Sequence, residues 1–157
     1  MGYTHYWNFK MNPKDIKDGA AKFAEAVKLS KKCIAKIPKK KGHTAGEEME
    51  FKLAGWDGTG RPVFKDNVIS FNGTSKNSKG EDDSYESFVI GYGDSEWEFS
   101  FCKTARRPYD VAVCISLLCF KHIFGKDFQY SSDGTDEDYG WAKAHEIFNK
   151  MKGKEAS

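Results

Sequence analysis

At 157 residues, with 39% hydrophobic, 31% charged and 15% aromatic side chains, the chain holds one domain's worth of sequence and enough large apolar groups for a packed core. That balance excludes wholesale disorder, collagen-like repeats and separate catalytic and regulatory modules, and a single domain over residues 1–157 is expected. The 25 Lys and Arg against 23 Asp and Glu leave a formal charge of +2, too small for the global basic field of a protein that coats nucleic acid.

The longest apolar run, Val111 to Phe120, is interrupted by Ser116 and followed by Lys121 and His122, well short of the roughly 18 apolar residues of a membrane span. The opening Gly2-Tyr3-Thr4-His5-Tyr6 lacks the basic and apolar parts of a signal peptide, so a cytoplasmic protein with no membrane partner is expected. Cys33, Cys102, Cys114 and Cys119 show no CxxC spacing, and three of them sit in apolar stretches; reduced thiols are expected, with no disulfide framework, no metal site and no cofactor.

Tyr3, His5, Trp7 and Phe9 alternate with Thr4, Tyr6 and Asn8, the period of a strand with one buried face. Asn12-Pro13 with Asp15 predicts a helix start, and Ile16, Ala20, Phe23, Val27, Ile34 and Ile37 form an apolar stripe that ends at Pro38. The other face of this helix is lysine, and the stretch from Lys10 to Lys41 carries 11 lysines against Asp15, Asp18 and Glu25, a local excess of 8. It reads as a solvated face leading into a mobile Lys39-Lys40-Lys41-Gly42 turn, because the lysines are not interleaved with Arg and aromatic residues.

Short strands are predicted at Met49 to Leu53, Val68 to Phe71, Ser87 to Tyr92 and Trp97 to Cys102, the last two joined as a hairpin through Gly91-Tyr92-Gly93-Asp94-Ser95. In the last strand Trp97, Phe99 and Phe101 are expected to face the core, and Glu98, Ser100 and Cys102 the other side. The glycines at 55, 58 and 60 are no dinucleotide fingerprint, since no helix pattern follows them. A buried helix starts at Pro108 or Asp110, a last short strand holds Phe128 and Tyr130, and Thr135 with Asp138 caps a third helix whose inner stripe is Trp141, Ala144, Phe148 and Met151. This order predicts an α+β fold, a largely antiparallel sheet with helices on one face, for which a ferredoxin-like topology with insertions is one arrangement.

Three clusters could carry chemistry. In Lys103-Thr104-Ala105-Arg106-Arg107-Pro108-Tyr109-Asp110 three cations and a hydroxyl lead from a strand into a buried helix, whose free amides and dipole suit a phosphate; the competing reading pairs Arg106 or Arg107 with Asp110 or Glu86. Ser131, Ser132 and Asp133, ahead of Gly134, offer hydroxyls and a carboxylate to a sugar or base, or simply form a turn. His5, Tyr6 and Trp7 offer aromatic faces and an imidazole, against which stands a hydrogen-bonded, partly buried His5. Hydrolase signatures are missing, and Cys102 beside Lys103 is the one candidate nucleophile of a conventional kind.

The opening Gly2-Tyr3-Thr4-His5-Tyr6-Trp7, together with Phe101-Cys102-Lys103-Thr104-Ala105-Arg106-Arg107-Pro108-Tyr109-Asp110 and Ser131-Ser132-Asp133-Gly134, resembles a group of small proteins encoded in tailed-phage genomes. The resemblance implies an accessory phage protein at work in the bacterial cytoplasm. The first expectation is a binder that sequesters a nucleotide, such as a cyclic-nucleotide defence signal, through Lys103, Thr104, Arg106 and Arg107, with Tyr6, Trp7 or Tyr109 stacking on the base and His5, Ser131, Ser132 and Asp133 nearby. The alternatives are a small nucleotide hydrolase or phosphodiesterase using His5, Asp133 or Cys102, and a protein-binding inhibitor of a host protein. A homo-oligomer is expected if a second copy completes the pocket.

Overall fold

The chain was analysed as a computed structural model that describes every residue except Met1, Ala45, Gly46, Asp94 and Ser157, and side chains outside 40–49 and 154–156. The first strand, β1 (Thr4–Phe9), is followed by α1 (Gly19–Ile34), β2 (Lys40–Thr44), β3 (Glu47–Glu50), β4 (Leu53–Ala54), β5 (Val63–Lys65), β6 (Val68–Gly73) and β7 (Phe88–Gly91). Then come β8 (Ser100–Lys103), α2 (Asp110–Phe124), β9 (Phe128–Ser132) and α3 (Tyr139–Ala156).

The alternation of β1 sorts its side chains as a strand should: His5, Trp7 and Phe9 are buried, while Thr4, Tyr6 and Asn8 are half-buried on the other side. β1 is the middle of a three-stranded antiparallel sheet ordered β8-β1-β9. Its register sets Tyr6 opposite Phe101 and Ser131, and His5 opposite Cys102 and Ser132. The inner face packs on α2, which is buried along almost its whole length from Asp110 to Phe120 and lies between α1 and α3. A second antiparallel sheet is built around β6, which pairs with β4, β5 and β7, and β2 with β3 forms a separate hairpin. One continuous apolar core runs from Trp7 and Phe9 through Phe23, Phe71, Phe88 and Phe120 to Trp141 and Phe148. The fold is α+β; its strand orders do not reproduce the single four-stranded sheet of a ferredoxin-like arrangement.

Several local expectations need correction. Pro13–Asp15 forms only a 3-10 turn, capped by the Asn12 side chain on the Lys14 amide. The chain then extends at Ile16 and turns left-handed at Asp18 (φ 58°) before α1 begins at Gly19, where a Cβ would lie 2.0 Å from the Pro13 carbonyl oxygen. Lys40 and Lys41 belong to a strand rather than a turn. Gly91 to Ser95 is no hairpin between β7 and β8, since β7 pairs with β6 and β8 with β1; Asp94 within it lies outside the described residues.

The most consequential correction concerns β8. Trp97 and Glu98 belong to a 3-10 turn, Phe99 and Phe101 are 60% and 55% exposed, and Cys102 is fully buried. Trp97 packs against the core as expected, but for Phe99, Phe101 and Cys102 alternation grouped the residues correctly and oriented them the wrong way round. The reason is the register: Cys102 stands opposite His5 on the inner face, so Phe101, opposite Tyr6, must face outward.

Candidate functional site: a buried hydrogen-bond chain beneath an open aromatic sheet face

Beneath the sheet, β1, β9, α2 and α3 bring polar groups together. Ser132 Oγ receives hydrogen bonds from Trp141 Nε1 (3.0 Å) and the Gly134 amide (2.9 Å), and it lies 2.8 Å from His5 Nδ1. A hydroxyl has one proton and two lone pairs. Both lone pairs are filled, so the Ser132 proton goes to Nδ1, and the ring carries its own proton on Nε2, which donates to Asp110 Oδ1 at 2.6 Å. Thr104 Oγ1 donates to the same carboxylate oxygen at 2.5 Å. His5 and Thr104 are fully buried and Asp110 nearly so. The carboxylate sits in the first turn of α2, where the helix dipole favours it, and a Cβ on Gly140 in α3 would lie 2.1 Å from its Oδ2.

His5, Asp110 and Cys114 place a nitrogen, a carboxylate oxygen and a sulfur within 4.8 Å of one another, a set that can hold a metal ion elsewhere. Its surroundings do not fit one. A metal-bound histidine donates its remaining proton outward, and here Ser132 has no lone pair left to receive a proton from Nδ1. Ser132, His5 and Asp110 have the composition of a hydrolytic triad too, but the lone pairs a serine would attack with are both held by donors. Cys102 fares no better as a nucleophile, because burial holds its thiol far above the usual value. The chain of bonds is a structural tie between two strands and two helices. Nearby, the hydroxyl of buried Tyr3 has no hydrogen-bond partner among the described residues.

The outer face of the same sheet is different in character. Tyr6 stacks on Phe99 with ring centroids 6.3 Å apart, and Phe99 meets Phe101 at 6.0 Å, so exposed Phe99 and Phe101 and half-buried Tyr6 form a continuous aromatic strip. Beside it lies a groove of about 440 Å³ lined by Tyr6, Asn8, Phe99, Lys121, Gln129 and Ser131 among others. Asn8 uses its Nδ2 on the Phe9 carbonyl and keeps its Oδ1 free, and the side chains of Gln129 and Ser131 have no hydrogen-bond partner among the described residues. Lys121 Nζ donates to the Gly125 and Phe128 carbonyls at 3.1 and 2.9 Å, which leaves one of its three protons for a ligand.

The residues singled out from sequence fall into separate places. His5, Ser132 and Thr104 join the buried chain, and Trp7 lies under the sheet against Phe88, so none of these offers a face to a ligand. Tyr109 is buried with its hydroxyl on the Glu86 carbonyl at 2.6 Å. At the start of α2, expected to hold a phosphate, the Asp110 and Ala112 amides bond to the Arg107 and Tyr109 carbonyls, and the Asp110 carboxylate points to His5 and Thr104. Arg106 turns away with a left-handed backbone (φ 58°), its guanidinium 4.1 Å above the Tyr3 ring and 3.4 Å from Asp138. Asp133 accepts from the Thr4 amide. Tyr6 and Ser131 share the open face, and Lys103 and Arg107 both approach the exposed Tyr85 ring, at 5.7 and 5.9 Å. Phe99, Phe101, Asn8, Gln129, Lys121 and Tyr85 were not foreseen; the one signal that could have found them is that Cys102, a residue type usually buried, shares the period of Ser100 rather than of the phenylalanines.

No protein family, curated protein or solved structure matches the chain.

Proposed function

We propose that the protein is a binding module for a nucleobase-containing ligand, held without turnover on the open face of the β8-β1-β9 sheet. The observation that carries this reading is the outward placement of Phe101 on β8 and of Phe99 just before it, beside Tyr6 on β1. Clustered exposed aromatics mark a contact surface, and flat rings that stack suit the π-face of a base. The polar groups decide between a base and a purely apolar partner. An apolar surface laid on this face would bury the free Asn8 Oδ1, the Gln129 amide and the Ser131 hydroxyl with nothing to bond, whereas a base edge and a sugar supply donors and acceptors for each.

Sequestration of a nucleotide signal, the role implied by the resemblance to tailed-phage proteins, accords with a site that has stacking and hydrogen-bonding groups and no activated nucleophile. The test is calorimetric titration with a panel of mono- and cyclic nucleotides, with each solution checked for breakdown. The Phe99→Ala, Phe101→Ala double variant, which removes only exposed groups, is expected to stay folded and lose binding. Binding unchanged in that variant, or breakdown products accumulating over time, would refute the proposal.

A further inference from the structure

The aromatic strip does not end at the groove. Phe99 just before β8, and Phe101 and Lys103 on it, point outward, and Lys103 reaches the exposed Tyr85, whose ring Arg107 also approaches from α2's leading loop. At the opposite end of the face, beside Asn8, Phe99 and Gln129, stands Lys121 with its one unused proton. Along the sheet the order is therefore Lys121, Phe99, the cross-strand pair Tyr6 and Phe101, and then Lys103 with Tyr85 and Arg107. A mononucleotide has one base and one phosphate group and covers only a part of that series. Ring spacings of 6.3 and 6.0 Å between successive aromatics suit bases presented one after another along an unpaired strand.

Resting on the reading of this face as a nucleobase site, we infer that its ligand is a short single-stranded nucleic acid, bound along β8 from Phe99, past Phe101 and Tyr6, toward Tyr85. Two or more bases stack on the strip, and Lys121, Lys103 and Arg107 meet phosphates. The near-neutral total charge fits this mode, because a few local cations hold a few phosphates without a basic field over the whole molecule. The lysine face of α1 takes no part, since α1 belongs to the helical layer behind the sheet.

The experiment is a length series: thymidine mono-, di-, tetra- and octanucleotides titrated against the intact protein by calorimetry, with the uridine series alongside. Each added stacked base is expected to tighten binding about five- to 150-fold until the strip is filled, after which affinity levels off. With two or three phosphate contacts, raising salt from ~50 to ~200 mM should weaken the tetranucleotide only about seven- to twentyfold. Tyr85→Ala should weaken the tetranucleotide and leave the mononucleotide unchanged. A mononucleotide that binds as tightly as the tetranucleotide would overturn this inference and leave the binding module standing. No binding by any member of either series, or of the nucleotide panel, would remove both.

Discussion

Replacing Ser132 by alanine isolates the hydrogen-bond chain from everything else the sheet does. The substitution removes the acceptor of Trp141 Nε1 and the proton donated to His5 Nδ1, and both rings are buried, at 3% and 0% exposure. Each stranded polar atom costs about 1–3 kcal/mol and the half-buried Gly134 amide adds little, so the sum for the two is about 2–6 kcal/mol. For a chain of this size that corresponds to a fall in Tm of roughly 4–24 °C. Ser131→Ala is the control one residue away: exposed, on the opposite face, and expected to stay within about 0.5 kcal/mol of the parent. Urea and thermal unfolding of the two variants read the difference directly. Equal stability for Ser132→Ala and Ser131→Ala would refute the accounting of lone pairs, and with it the Nε2–H assignment of His5.

Other outcomes follow from neighbouring features. Tyr3→Phe removes a buried hydroxyl that has no hydrogen-bond partner among the described residues and should leave stability unchanged or raise it by up to about 1 kcal/mol in urea unfolding; a clear loss would show that the hydroxyl bonds to something. Ala105 holds φ 51° with only a methyl group to lose, so Ala105→Gly exchanges a left-handed penalty of about 1–2 kcal/mol for a glycine entropy cost of about 0.5–1 kcal/mol, and a small gain in Tm is expected. Burial raises the Cys102 and Cys114 thiols above their ordinary value of 9, so in alkali the unfolded chain ionises first. Their contribution is therefore fully present below pH 9 and lost as pH rises beyond it, at about 1.4 kcal/mol per thiol for each further pH unit. Unfolding curves from pH 8 to 10 check this sign, and flat stability across that range would contradict it.

Local physics made much of the fold legible. The alternation of β1, the almost unbroken apolar surface of α2 and the Thr135–Asp138 cap are properties of neighbouring residues, and the cap is seen as the Asp138 carboxylate accepting from the Thr135 amide at 2.7 Å. What sequence withheld is pairing at long range. Alternation states which residues of β8 share a face, and only the pairing with β1 states which face is inside; the assumption that the larger apolar set goes inward then failed at Phe99 and Phe101. The buried chain has the same origin. His5, the Thr104–Asp110 pair and Ser132 come from three distant parts of the chain and meet only because β1 lies between β8 and β9 with α2 against their inner face.

The measurement that bears most directly on the open sheet face is a nuclear magnetic resonance titration of labelled protein with a thymidine tetranucleotide. Backbone and aromatic shifts should concentrate at Tyr6, Asn8, Phe99, Phe101, Gln129 and Ser131, extending to Lys103 and Tyr85. Shifts confined to the Arg106 turn and α2, or a spectrum that does not move at all, would contradict the account.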